Sequence, residues 1–223
     1  LGRALKESGK LRSEYVVSTK LFTSDRLYNK PNRNGLSRKH LMEGVKNSLE
    51  RLQLDYVDVL FCHRPDPTTP LEEVVLAFKD IFAKGLTLYW ATSEWSASEI
   101  AHAYWLCEKY GVPKPIADQV QYNMIHRERV EVEYAYLFDK YNMGTTIWGT
   151  LSGGLLTGKL LDASFDKKGT RYEIELINSI YQIDKYMAPE NLEKTKKLFA
   201  ELAEVAKELG ITTTELAIAW ALR

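Results

Sequence analysis

The spacing of the apolar segments restricts this chain to a narrow set of folds. Short runs rich in β-branched and aromatic residues begin near residues 15, 56, 87, 115 and 145, and the last four are about thirty residues apart. About thirty residues is the length of one strand followed by one helix, so the spacing predicts strands that alternate with helices. Such alternation indicates a parallel sheet, in either a doubly wound fold or a barrel.

Helix-start signals lie between the predicted strands. Ser37 is expected to cap the helix that follows it. Capping boxes are predicted at residues 69–72, 96–99 and 212–215, the first with proline at the first helical position. A further amphipathic helix over 190–209 is expected to present one apolar face, formed by Leu198, Leu202, Val205 and Leu209.

The sequence lacks the glycine fingerprint of the doubly wound nucleotide-binding folds. No Gly-x-Gly-x-x-Gly occurs in it, which favours the α/β barrel of TIM type over the doubly wound sheet. The stretch 149–189 has no clear period and is expected to be an extended loop over a site, or a partly ordered segment. We therefore expect one domain over residues 1–223 that contains part of a (β/α)8 barrel.

Composition restricts the partners and the compartment. Thirty basic and thirty acidic residues cancel, which argues against nucleic acid or a membrane surface as partner but permits an anionic cofactor. Cys62 and Cys107 are too few for a disulfide framework and fit a reducing cytoplasm. No apolar run approaches the roughly 20 residues that span a bilayer, and no cluster has the spacing of metal ligands.

Polar or aromatic side chains follow each predicted strand at the same end. The strand at 56 is apolar up to a histidine, and two prolines follow within four positions. A barrel brings the carboxyl ends of its strands to one rim, where barrel enzymes carry out their chemistry. Any one of these residues has an ordinary structural explanation, but together they predict a site. The candidates are Lys20, His63, Ser93, Gln119 and Trp148.

Other polar residues are assigned structural roles. Arg64 and Asp66 are expected to pair and brace the loop after the second strand. The remaining histidines fall on predicted helices or their flanks, where we expect them to be solvated; they are His40, His102 and His126.

The segments around the strand ends resemble the aldo-keto reductases. The matching segments are VVSTK, GVKNSLERLQLDYVDVLFCHRPDP, ATSEWSASEI, QVQYN and TIWGTLSGGLLTGK. Within that superfamily the chain is most similar to the β subunits of voltage-gated potassium channels and their plant and microbial relatives. The resemblance implies an eight-stranded barrel that binds NADP(H) without a glycine fingerprint and reduces a small carbonyl substrate.

The resemblance also implies roles for individual residues. Lys20 matches the lysine that lowers the pKa of a catalytic tyrosine, and His63 matches the histidine that orients and polarises the carbonyl. Ser93 and Gln119 would hydrogen-bond the nicotinamide carboxamide, while Trp148 would stack on the nicotinamide ring. The implied contacts with the pyrophosphate and the other phosphates of the cofactor come from Gly149, Thr150, Leu151, Ser152, Gly153, Lys159 and Arg171.

The sequence departs from the family pattern in two respects. Gly149 and Thr150 stand where Ser-Pro is usual, so a serine contact with the cofactor is lost. The Asp and Tyr of the family's catalytic tetrad belong to an FDTAxxY segment, and the 223 residues contain no such segment. We therefore expect a fragment truncated at both ends that holds about the third to seventh strands of the barrel and has little activity alone.

Two functions remain open for the whole protein. One is an NADP-dependent aldo-keto reductase of aldehydes and ketones. The alternative is a cytosolic β subunit that docks on the cytosolic domain of a cation channel and uses the bound cofactor as a redox sensor. Homo-oligomers are an additional possibility, because the channel subunits that the chain resembles are tetramers.

Overall fold

Strands and helices alternate as the sequence predicts. The computed structural model describes residues 1–23, 32–162, 165–166 and 168–222. Five strands form one sheet in chain order, and the three pairings from the first strand to the fourth are parallel. The strands are β1 (Ser18–Leu21), β2 (Val57–Cys62), β3 (Thr87–Ser93), β4 (Ala117–Gln121) and β5 (Gly144–Trp148).

The chain divides into two compact units, residues 1–120 with 133–146 and residues 121–132 with 147–223. The first unit contains α1 (Gly2–Glu7), α2 (Arg38–Leu52), α3 (Leu71–Ala83), α4 (Ala97–Tyr110) and α5 (Ala135–Tyr141). The second contains α6 (Glu175–Tyr181), α7 (Ile183–Met187), α8 (Pro189–Glu208) and α9 (Thr213–Ala221). Short 3-10 helices span Arg12–Glu14, Ser152–Thr157, Lys159–Leu161 and Arg171–Glu173, and a π-helix spans Arg129–Glu133.

The core of the first unit lies between the sheet and its helices. Phe78 of α3 stacks on Trp90 of β3 with ring centroids 4.2 Å apart, and both side chains are fully buried. Rings of this size contribute much of the buried apolar area that stabilises a core. Cys62 and Cys107 are free and buried in the same unit, as expected for small apolar residues.

Three of the four predicted helix caps are confirmed. Ser37 accepts from the backbone N–H of His40, and the boxes at 96–99 and 212–215 have both reciprocal hydrogen bonds. The predicted box at 69–72 is wrong, because α3 has Pro70 as its N-cap and no side-chain cap. The hydroxyl of Thr69 instead donates to Oδ2 of Asp66 at 2.7 Å, which ties this side chain to the loop.

The stretch 149–189 is not an extended loop where the structure describes it. It forms a succession of short 3-10 and α-helical segments. Their side chains form a buried cluster with two later helices, which contains Leu155, Leu156, Leu160, Ile183, Phe199 and Ala217.

Of the apolar face predicted for α8, Leu202 packs against the buried cluster. The buried residues of α8 are Thr195, Phe199 and Ala206, whereas Val205 is 45% and Leu209 61% exposed. Positions 195, 199, 202 and 206 form a helical stripe that shares Leu202 with the predicted face, and this stripe places Phe199 in the cluster. Among the described residues, no helix is long and apolar enough to cross a membrane.

Candidate active site

The carboxyl ends of β1 to β4 present one set of side chains on one face of the sheet. Lys20 is in register with Phe61, and Phe61 with Ala91. Ser93 is in register with Gln119. Because residues two apart along a strand share a face, His63, Ser93 and Gln119 lie one step further along the face that carries Lys20.

Lys20 contacts Gln119 directly. Its Nζ donates to Oε1 of Gln119 and lies 5.3 Å from the ring centroid of Phe61. The Gln119 amide donates in turn to Oγ1 of Thr146 at 3.3 Å. On a flat sheet, β1 and β4 would be about 14 Å apart, and their side chains would point away from the sheet in parallel rather than toward each other. The contact therefore requires the sheet to curl around this face.

The environment of Lys20 lowers the pKa of its ammonium group. Burial is the largest cause, and the nearby Arg64 guanidinium adds to it, while the Asp118 and Glu94 carboxylates oppose it. The charged form loses hydration on burial, which favours loss of the proton. Lys20 is thus a half-buried cation that gives up its proton more readily than a surface lysine.

Asp118 is a buried carboxylate beneath this face that the sequence prediction missed. It is fully buried and accepts from the Thr92 hydroxyl at 2.7 Å and from the backbone N–H of Glu94 at 3.0 Å. Burial raises the pKa of Asp118 although these hydrogen bonds oppose the rise. Asp118 is the charged residue within β4 (Ala117–Gln121), and this was the signal that could have identified it.

The loop at Glu94 adopts a backbone conformation that few residues tolerate. Glu94 has a φ of 60°, and such outliers concentrate at functional sites. The Asp118 carboxylate holds this conformation by accepting the N–H of Glu94 at 3.0 Å. Glu94 also carries a mostly buried carboxylate that pairs with Arg64 at 3.6 Å.

The predicted pairing of Arg64 with Asp66 is wrong. Arg64 pairs with Glu94 at 3.6 Å. Asp66 braces the loop without it, accepting from the backbone N–H of Leu36 at 2.8 Å and from the hydroxyl of Thr68 at 2.7 Å. The carboxylate thus fixes two chain segments through uncharged donors.

His63 follows β2 directly. Its backbone N–H donates to the carbonyl of Leu21 at 2.9 Å, so the β1–β2 pairing extends to the histidine. His102 and His126 are exposed, as expected. His40 is not solvated: it is only 6% exposed, and burial lowers its pKa. It lies two helical turns before the buried Ser48, on a polar stripe of α2 that the apolar pattern did not reveal.

Ser93 is almost fully buried. Its hydroxyl donates to the backbone carbonyl of Gln119 at 2.8 Å. The proton of Ser93 is therefore used within the sheet, and its oxygen can still accept a hydrogen bond.

In the second unit, the chain after β5 forms a loop with an unusual backbone. Gly149, Ser152, Gly153 and Gly154 have φ values of 72°, 47°, 69° and 105°. The N–H of Ser152 donates to the carbonyl of Gly149 at 2.7 Å. Left-handed residues in series allow a ligand or a side chain to approach the backbone closely.

Aromatic rings flank this loop. The ring of Trp148 meets that of Tyr181 edge to face at 5.8 Å. A β-carbon added at Gly149 or Gly153 would lie 3.1 Å or 2.5 Å, respectively, from the nearest Tyr181 ring atom. The space beside both glycines is therefore filled by the tyrosine ring in this conformation.

A family model described as the aldo/keto reductase family matches residues 1–223. The chain belongs to this family.

Similar proteins from three organisms carry a more specific name. The chain is 41% identical to a putative voltage-gated potassium channel subunit beta of Schizosaccharomyces pombe, over 100% of this chain and 63% of that protein. It is 40% and 41% identical to probable voltage-gated potassium channel subunits beta of Oryza sativa subsp. japonica and Arabidopsis thaliana, over 99% of this chain and 64% of each. The chain thus spans less than two thirds of the length of these relatives.

The aldo/keto reductase residues predicted from the sequence are distributed over both units. Lys20, His63 and Ser93 lie at or directly after the carboxyl ends of strands of the first unit, and Gln119 lies two residues before the end of β4. Their roles stay predictions. Trp148 and residues 149–153 lie in the second unit, where Leu151 packs against the buried cluster. Lys159 is exposed on a short helix, and the side chain of Arg171 lies outside the described residues.

Proposed function

We propose that this chain is part of an NADP(H)-dependent reductase that converts an aldehyde or a ketone to an alcohol by hydride transfer. The observation that carries the proposal is the half-buried Lys20, held by Gln119 where the strands of an aldo/keto reductase chain end. An ammonium group in that position is suited to this chemistry, because its charge can stabilise a neighbouring phenolate at neutral pH.

The residues of the first unit fit a nicotinamide and a carbonyl substrate. The cofactor supplies the hydride. Lys20 acts as a positioned charge that makes a phenolic proton available to the carbonyl oxygen. The Ser93 oxygen can accept from a carboxamide N–H, since its own proton is held by the carbonyl of Gln119. His63 orients and polarises the carbonyl of the substrate.

We further propose that the five strands are an arc of the eight-stranded barrel and that residues 1–223 form a single domain of it. The contact between Lys20 on β1 and Gln119 on β4 supports the arc, since it requires a curled sheet. In this proposal the strands are the third to the seventh of the barrel.

Oxidation of NADPH with 4-nitrobenzaldehyde tests the reductase proposal. The 223-residue chain alone is expected to turn over slowly, because it contains no tyrosine in the FDTAxxY context. In the complete gene product, Lys20→Met is expected to lower kcat by about 100-fold or more, while Lys6→Met on the exposed side of α1 leaves it unchanged. Equal rates for the two variants would remove Lys20 from the mechanism.

The second candidate is a subunit that regulates a voltage-gated potassium channel in the cytoplasm, as a tetramer that uses the cofactor as a redox sensor. The names of three relatives at 40–41% identity favour it. The test is co-purification of the gene product with the cytosolic domain of such a channel, with and without NADPH. Normal turnover without association would leave the enzyme as the only function.

A further inference from the structure

Tyr181 fits against the glycine loop because two side chains are absent there. Its ring is so close that a β-carbon would lie 3.1 Å from it at Gly149 and 2.5 Å from it at Gly153. Real β-carbons essentially never approach another heavy atom as closely as the second value. Both glycines also have left-handed φ values, 72° and 69°. Ring and loop are therefore matched in shape.

The ring of Tyr181 and the pyrophosphate of a bound dinucleotide would compete for the same space. The loop formed by residues 149–153 is the segment to which the proposed function assigns the pyrophosphate of the dinucleotide. A phosphate that approached the backbone at Gly149 and Gly153 would overlap the ring of Tyr181, which also meets Trp148 at 5.8 Å.

A residue with a strained backbone and a cavity next to Tyr181 would allow its ring to move away from the loop. Gln182, the next residue, joins α6 to α7 with a φ of 51°. A non-glycine residue in this region is strained, and a rotation there would change the direction of α6. The following residue, Ile183, is buried at 1% exposure and fixes the start of α7. A cavity of about 100 Å³ adjoins the ring and is lined by Gln121, Ile125, His126, Ser152, Gln182 and Tyr186.

We propose that Tyr181 occupies part of the cofactor site in the free protein. Its ring must leave the space beside Gly149 and Gly153, which we call the glycine cradle, before the pyrophosphate of a dinucleotide can bind. This inference rests on the proposed function. The displaced ring moves toward the adjoining cavity, and the hinge is Gln182. Binding therefore selects the fraction of molecules in which the ring is out, and the apparent Kd rises in inverse proportion to that fraction.

Calorimetric titration of the complete gene product with NADP+ tests the competition. If the ring is out in about one molecule in ten, Tyr181→Ala lowers the apparent Kd about tenfold. Tyr181→Phe is the matched control: it keeps the ring that fills the cradle and is expected to bind like the unaltered protein. Circular dichroism and thermal unfolding verify that both variants are folded.

The outcomes separate the competition from the proposed function. If the unaltered protein binds NADP+ as tightly as Tyr181→Ala, or more tightly, the Tyr181 ring does not compete with the cofactor. The reductase proposal is then unaffected. Absence of binding in all three proteins overturns both proposals, whereas binding by Tyr181→Ala alone supports both.

A kinetic measurement on the unaltered protein does not depend on any variant. In stopped-flow mixing, the observed rate of NADP+ binding is expected to reach a plateau set by the departure of the ring. A rate that keeps rising linearly with NADP+ concentration, with no plateau, contradicts the competition.

Discussion

Replacing Asp66 with asparagine is expected to lower the free energy of unfolding by about 2 kcal/mol at pH 7. The carboxylate accepts four hydrogen bonds, from the N–H of Leu36 at 2.8 Å, the N–H and hydroxyl of Thr68 at 2.9 and 2.7 Å, and the hydroxyl of Thr69 at 2.7 Å. Burial alone would raise the pKa of Asp66, but these donors outweigh it and lower the pKa to about 2. Asparagine places an amide donor where only acceptors fit.

The magnitude follows from the pKa of Asp66 in the two states. An unfolded aspartate has a pKa of about 3.9, and each pKa unit corresponds to about 1.4 kcal/mol. The difference from a folded value of about 2 gives about 2.6 kcal/mol, reduced to about 2 kcal/mol because the side chain is partly exposed. Because the folded pKa is the lower one, this stability is fully present above the unfolded pKa. About half of it remains at pH 3, and it is lost as the pH falls through about 2.

Urea unfolding at pH 7 and pH 3 measures the effect through the tryptophan fluorescence. Asp55→Asn, at an exposed position before β2, is the matched control and is expected to change the free energy of unfolding by less than about 0.5 kcal/mol. The reasoning about Asp66 is refuted if Asp66→Asn behaves like this control at pH 7, or if its deficit is the same at pH 3 as at pH 7.

Three further predictions concern other parts of the molecule. The pKa of Lys20 is expected to lie below that of an exposed lysine, because of burial and the nearby arginine; NMR titration of the ¹³C-dimethylated protein measures it, and an ordinary value contradicts the burial argument. Gly153→Ala is expected to destabilise the protein by about 1–3 kcal/mol more than Gly158→Ala: both positions have left-handed φ values, but only the first meets a neighbouring ring. Equal urea midpoints for the two variants would exclude that clash. Cys62 and Cys107 are expected to resist DTNB in the folded protein, because burial raises the pKa of both thiols, that of Cys107 to about 12; both react in urea, and rapid labelling without urea would contradict their burial.

Much of the first unit could be predicted from local patterns. The strands at 56, 87, 115 and 145 begin within two residues of the predicted positions, because a buried strand is a short apolar run that ends at polar or turn residues. The cap at Ser96, and that at Thr212 in the second unit, formed for a similar reason, since a capping box joins groups only three residues apart. No such cap formed at Thr69, whose hydroxyl donates to Asp66, three residues before it.

Long-range choices could not be predicted in the same way. On α8, Leu198 and Val205 of the predicted face stay at least a third exposed, whereas Phe199 is buried in a cluster with Leu155, Leu156 and Leu160, which are distant in the sequence. Arg64 pairs with Glu94, thirty positions away in the sequence, rather than with Asp66, two positions away.

Residue order and local periodicity were enough to establish the alternation of strands and helices, the family, and the placement of Lys20, His63 and Ser93 at strand ends. These depend on local periodicity and on residue order, which the chain carries in one dimension. The tertiary structure alone decided that Lys20 reaches Gln119 and that Tyr181 fills the glycine cradle. Both contacts join residues more than 25 positions apart, so they depend on sheet curvature and on packing between segments, which no local pattern encodes.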